Sequence, residues 1–176
     1  MQVPFNSEFK INSIGAFPEY FDDQEYIDEC IKLDDYTILE TAMKVIEDPN
    51  KLKAKDGRSL FGRYVMKGNY KVVEIFLKNK ANPNGSDWLG TAFLSHAVSR
   101  CHQAVTELLL NYGASTDCIA ELMPKAAIIY DEILAMAIKI GNVAFITKVL
   151  SVPCSQMQLD KAIDVSFEIA HTNSKL

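Results

Sequence analysis

The sequence predicts an all-α fold, a short stack of about four helical pairs with one further helix capping its C-terminal end. Three observations predict it. Apolar residues recur at the three- and four-residue spacing of a helix face, Gly-Asn dipeptides break the helical pattern, and one stretch returns later in the chain. That stretch, IFLKNKANPN, begins at Ile75, and its counterpart LLLNYGASTD begins at Leu108. The step from Ile75 to Leu108 is called the repeat offset below.

Length and composition are those of a globular domain. The chain has 176 residues, 48% of them hydrophobic and 23% charged, which fits a single domain with a sizeable core. Its net charge of −5 argues against nucleic-acid binding and favours a basic or mixed protein partner. The sequence has neither the ~18 uninterrupted apolar residues of a membrane helix nor a secretory signal. We therefore expect a cytoplasmic protein that does not contact a membrane.

The first clear helical pair is predicted between Asp56 and Asn84. Gly68-Asn69 separates its two helices, because both residues tolerate the left-handed backbone of a helix end. Pro83 cannot continue a helix, so the chain turns away there. The predicted apolar faces contain Leu60, Phe61, Tyr64, Val65, Val72, Val73, Ile75, Phe76 and Leu77.

The second pair repeats the first at the repeat offset. Gly57 corresponds to Gly90, and Phe61 corresponds to Leu94. Core positions are expected at Phe61, Val65, Val73, Phe76 and Leu77, and at their counterparts Leu94, Val98, Leu109 and Leu110.

A helix–turn–helix–loop unit with this offset resembles the ankyrin repeat, whose period is about 33 residues. The resemblance covers Asp56 to Asp117. The family's Thr-Pro-Leu-His motif is replaced by Ser-Leu-Phe-Gly (59–62) and Ala-Phe-Leu-Ser (92–95). Because the capping Pro and the hydrogen-bonding His are missing, packing is expected to carry more of the stability between neighbouring repeats.

The resemblance implies an ankyrin-repeat solenoid over residues 21–176, preceded by an extended or partly ordered arm at 1–20. Repeats are expected at about 22–53, 54–86, 87–119 and 128–153, with an end helix at 155–171. The segment 131–150 has the same helix–Gly-Asn–helix order. The step from Cys101 to Gly141 is longer than the repeat offset, so a short insertion is expected before this segment. Atypical terminal units are expected, since each shows one face to water.

Cys101-His102 is the one adjacent pair of a cysteine and a histidine. Catalysis would require a lowered thiol pKa and an oriented imidazole. The repeat register instead places both residues in the turn between paired helices, and we expect no enzyme activity. The four cysteines and three histidines show no ligand spacing, so neither a disulfide framework, a metal site nor a cofactor is predicted.

Two charged stretches are interpreted as solvated surface. Acidic residues between Asp22 and Asp35 alternate with apolar ones, which is typical of an amphipathic end helix, although such a face could also steer a basic partner. Lys51, Lys53 and Lys55 fall in a predicted turn between Asp48 and Asp56.

Partner contacts are expected at the loop tips and on the inward side of each first helix, as the resemblance implies. Trp88 follows four turn-forming residues at a loop tip, and Trp is frequent among binding hot spots. It could instead fold back on Pro83 or on the N-terminal arm. The implied positions are Lys55, Asp56, Arg58, Met66 and Lys67 in one repeat, and Trp88, Leu89, Thr91, Ser99 and Arg100 in the next. The alternative contact surface is the acidic N-terminal face around Asp28 and Asp34.

The predicted function is a non-enzymatic protein-binding module. We expect a stand-alone inhibitor or adaptor, monomeric when free, that occludes a partner protein with its concave face, for example an immunity protein against a toxin. The alternative is a microbial or viral effector-type protein that binds a host target. A Cys-His enzyme and a self-associating structural subunit are weaker alternatives.

Overall fold

Helices account for the regular structure of the residues that the structure describes. The computed structural model describes residues 36–54, 56–123 and 129–151, together with 160, 163 and 164. The expected arm at 1–20, the acidic stretch at 22–35, Lys55 and most of the expected end helix lie outside these residues. Within them the all-α prediction is confirmed. The eight α-helices are α1 Tyr36–Val45, α2 Leu60–Lys67, α3 Tyr70–Lys78, α4 Phe93–Ser99, α5 Gln103–Asn111, α6 Asp117–Leu122, α7 Tyr130–Ile140 and α8 Val143–Leu150, and a 3-10 turn spans Pro49–Lys51.

The helices contact one another in two rows. Helices α2, α4, α6 and α8 contact in series, and so do α1, α3, α5 and α7. Across the rows, α2 packs against α3, α4 against α5, and α7 against α8. The buried side chains form a single hydrophobic cluster between these elements.

The predicted helix breaks at Gly68, Cys101 and Gly141 are confirmed. All three residues have the left-handed backbone that ends a helix, with φ of 70°, 55° and 71°. After two of the breaks an asparagine begins the next helix. The Asn69 side chain accepts a hydrogen bond from the main chain of the next helix at 3.1 Å, and Asn142 does the same at 3.0 Å.

The core positions expected from the sequence are confirmed. The rings of Phe61 and Phe76 stack at 5.6 Å, and Phe93 meets Phe61 edge-on at the same distance. Truncating such a side chain typically costs about 3–5 kcal/mol, so these rings anchor the two rows on each other. The expected residues that are buried are Phe61, Val65, Val73, Phe76, Leu77, Leu94, Val98, Leu109 and Leu110.

Two loops have the same hydrogen-bonded shape, one repeat offset apart. One is closed by a bridge between Lys53 and Ser59, and the other by a bridge between Ser86 and Ala92. Gly57 and Gly90 lie within these loops with φ of 75° and 81°, a conformation that glycine adopts without strain. Each loop is therefore a short, ordered hairpin that ends at the start of a helix.

Asparagine side chains tie successive loops together. Asn50 accepts from the main-chain N–H of Asn82 at 2.7 Å and donates to the carbonyl of Lys80 at 3.5 Å. Asn84 accepts from the N–H of Ser115 at 2.7 Å and donates to the carbonyl of Gly113 at 3.2 Å. Polar bonds thus connect neighbouring units, where packing was expected from the sequence to carry more of the stability.

The described helices are short. None of them is long and apolar enough to cross a lipid bilayer.

Candidate partner-binding surface

The loop at 86–92 presents two large apolar side chains to solvent. Trp88 is 71% exposed and Leu89 is 67% exposed, so most of the Trp88 side chain faces solvent; the N-terminal arm, one of the two places on which it could fold back, lies outside the described residues. The loop is nevertheless held in shape by Asp87. Its Oδ1 accepts hydrogen bonds from the N–H groups of Leu89 at 2.8 Å and Thr91 at 2.9 Å. The exposed pair therefore stands on an ordered turn.

The same aspartate orients a histidine and, through it, an arginine. Asp87 Oδ2 lies 2.7 Å from His96 Nε2, and His96 Nδ1 lies 3.2 Å from Arg100 Nη1. A guanidinium can only donate, so Nδ1 must accept, and the Nε2–H of a neutral ring then donates to Asp87. Arg100 Nη1 also donates to the His96 carbonyl at 3.3 Å.

Hydrogen bonding lowers the pKa of the Asp87 carboxyl. Burial acts in the opposite direction and raises this pKa, but the bonds from His96 and from the N–H groups of Thr91 and Leu89 together outweigh it. The carboxyl is therefore held in its charged form, which is the form that accepts the bond from His96.

The preceding loop contributes a second cation. The guanidinium carbon of Arg58 lies 5.9 Å from the centre of the Trp88 ring, within cation–π range. Asp56 pairs closely with Arg63, at 2.6 Å, and only loosely with Arg58, at 3.8 Å. The N–H of Arg58, then the nearby guanidinium groups, lower the pKa of the Asp56 carboxyl.

These contacts define a continuous surface, called the loop-tip surface below. It carries three guanidinium groups and two carboxylates, so it is positive although the chain is negative overall. Both carboxylates already accept hydrogen bonds within the surface. Its members are Asp56, Arg58, Arg63, Asp87, Trp88, Leu89, His96 and Arg100.

Other positions expected to bind a partner lie beside this surface. Lys67 stands 4.9 Å above the Tyr64 ring, and Ser99 bonds to the His96 carbonyl at 3.2 Å. Met66 is half-buried and Thr91 lies within the loop, while Lys55 lies outside the described residues. Arg63, Asp87 and His96 were not among the positions predicted from the sequence. The repeat offset, which aligns Arg63 with His96, is the signal that could have marked two of them.

Cys101 and His102 are not arranged as a nucleophile and its base. Desolvation by surrounding atoms and, secondarily, the Glu132 carboxylate raise the pKa of the Cys101 thiol, whereas an activated cysteine has a lowered one. His102 Nε2 lies 3.1 Å from the carbonyl of Met66, which accepts a hydrogen bond from the ring N–H. The imidazole is thus engaged in joining α2 to the turn before α5.

The part of the chain that the structure describes holds no group of three or more His, Cys, Asp or Glu side chains placed to bind a metal ion. No protein-family model matches the sequence, and comparison with curated proteins gives no significant match. The surface itself is thus the basis for a functional argument.

Proposed function

We propose that the chain is a non-enzymatic protein-binding module of the ankyrin-repeat type, an inhibitor or adaptor that occludes its partner with the loop-tip surface. The observation that carries the proposal is the 71% exposure of Trp88 on a hydrogen-bonded loop. A large exposed aromatic side chain on an ordered loop is costly to keep in water and is typical of binding hot spots.

Recurrent backbone geometry supports the repeat architecture. Left-handed backbone occurs at three pairs of positions separated by the repeat offset, namely 57 and 90, 68 and 101, and 80 and 113. Two of these positions, Lys80 and Cys101, are not glycine, so the shared conformation follows from position in the unit and not from residue type alone. The two rows of helix contacts are also what a stack of helical pairs requires.

Chemistry at the surface supports binding over catalysis. The loop-tip surface combines exposed apolar side chains with guanidinium groups, a composition common at protein interfaces. The Cys101 thiol has a raised pKa, and the neighbouring imidazole is bonded to a main-chain carbonyl. An inhibitor or adaptor needs only a surface of exposed apolar side chains and guanidinium groups, and it needs no activated thiol.

The test is affinity capture of a partner from the native source, read by mass spectrometry and then quantified with purified partner. Trp88→Ala should weaken binding by about thirtyfold or more, the usual effect of losing a hot spot. Tyr70→Ala is the matched control, since Tyr70 is a 41%-exposed aromatic at the start of α3. Equal affinity of the Trp88→Ala variant and the wild type would contradict the proposed function.

A further inference from the structure

Some hydrogen-bond donors of the Arg100 guanidinium have no acceptor among the described residues. Among the described residues its guanidinium bonds only through Nη1, and both acceptors are uncharged atoms of His96. The Nη2 and Nε donors have no acceptor in that part of the chain. Arg100 is also exposed. An arginine with a free donor edge is suited to bind a carboxylate through two parallel hydrogen bonds.

The position of this free edge is fixed by the side chains behind it. The His96 and Asp87 side chains are only 16% and 13% exposed, and they are 2.7 Å apart. Because the neutral imidazole stands between Asp87 and Arg100, the carboxylate orients the arginine without pairing with it. The positive charge of Arg100 therefore remains available at the surface.

Arg58 offers a second cation, whose guanidinium carbon lies 5.9 Å from the centre of the Trp88 ring. Its Nε is 3.8 Å from Asp56, too long for a hydrogen bond, because that carboxylate is drawn to Arg63 at 2.6 Å. Two incompletely paired guanidinium groups thus belong to the loop-tip surface, which also carries the exposed indole of Trp88.

We propose that the loop-tip surface receives an acidic segment of the partner protein that also carries an apolar side chain. One carboxylate binds the free edge of Arg100, and the apolar side chain packs on Trp88 and Leu89. The net charge of −5 favours a basic partner at long range, but contact is decided by the local donors, which are complementary to carboxylates. This inference rests on the proposed function and names the partner's chemistry.

Two synthetic peptide libraries of equal length provide the test. Both fix a Trp or Leu at the centre, one has Asp and Glu at the flanking positions, and the other has Lys and Arg there. The immobilised full chain should retain the acidic library, with affinity that falls as salt rises. Retention of the basic library instead, or of neither, would overturn the inference.

Matched variants separate this inference from the proposed function. Arg100→Gln should weaken binding of the selected acidic peptides about thirtyfold, whereas Lys44→Gln, which removes an exposed cation on α1, should leave it unchanged. His96→Ala should weaken binding in the wild type but add nothing in the Arg100→Gln background, as expected if His96 acts by positioning Arg100.

The two failures are distinguishable with the captured partner. If Trp88→Ala weakens its binding but Arg100→Gln does not, the acidic-segment inference is wrong and the binding surface stands. If neither change has an effect, the proposed function itself is wrong. Thermal unfolding of each variant verifies that the chain is still folded.

Discussion

The His102 ring lies directly against Gly68. A Cβ built on Gly68 would stand 2.7 Å from His102 Nδ1, closer than such atoms ever approach, while Nε2 of the same ring reaches the Met66 carbonyl at 3.1 Å. The turn after α2 and the turn before α5 therefore meet at a position where only glycine fits. This contact gives the Cys101-His102 pair a structural role.

Gly68→Ala should destabilise the fold by more than a left-handed backbone alone explains. Gly141→Ala is the control, since Gly141 has nearly the same φ, 71° against 70°, but open space where its Cβ would be. A left-handed alanine costs about 1–2 kcal/mol, and Gly68→Ala should exceed the control by a further ~1 kcal/mol or more. Urea unfolding measures both. Equal losses would mean that the His102 ring moves aside freely.

Thr106→Val should leave the free energy of unfolding unchanged or raise it by up to ~1–2 kcal/mol. The Thr106 hydroxyl is fully buried in α5 and has no hydrogen-bond partner among the described residues, so it loses water without compensation. Valine is close in shape and removes that cost.

Val73 provides the reciprocal experiment, because it is fully buried at the corresponding position of α3. Val73→Thr should destabilise by about 1–3 kcal/mol. If thermal unfolding shows that Thr106→Val is less stable than the wild type, the buried hydroxyl contributes a favourable hydrogen bond and the prediction is wrong.

Asn84→Ala should destabilise the fold by about 0.5–1.5 kcal/mol, because it removes the exposed hydrogen bonds that join Asn84 to the N–H of Ser115 and to the carbonyl of Gly113. Asn84→Asp keeps the acceptor but faces the carbonyl with a second oxygen, so it should not restore stability fully. Asn111→Ala, an exposed change at the end of α5, is the control. Chemical denaturation compares the three, and an Asn84→Ala protein as stable as the control would exclude the tie between loops.

Asp87→Asn should reduce the loss of folding stability as the pH is lowered. The pKa of Asp87 is lowered in the folded state, below the ~3.9 of an unfolded aspartate. Its contribution is thus fully present above about pH 4 and is lost as pH falls through the folded-state pKa. Asparagine cannot titrate, so urea midpoints measured from neutral pH downward should fall less steeply for the variant. An unchanged slope would show that the carboxyl contributes nothing to acid unfolding.

Much of the helical layout follows from the sequence, because it depends on local chemistry. The break after α2 needs only Gly68 and the capping Asn69, and burial of Phe76 or Leu109 follows from helical spacing and the repeat offset. The turn-forming residues before Trp88 placed it at a loop tip, where it was expected either to be exposed or to fold back, and it is exposed. Such features depend on neighbours a few residues away.

Sequence alone determined the helical pairs, their breaks and the apolar faces that become the core. Only the tertiary structure decided which helix continues each row, so that α6 joins α4 while α7 joins α5. It also decided that Asp117 pairs with Lys148 at 2.9 Å and that Arg58 of one loop lies within 5.9 Å of the Trp88 ring of the next. The physical reason is that these contacts join residues from separate elements, and a polar side chain finds its partner only after burial of the apolar faces has set the distances between those elements.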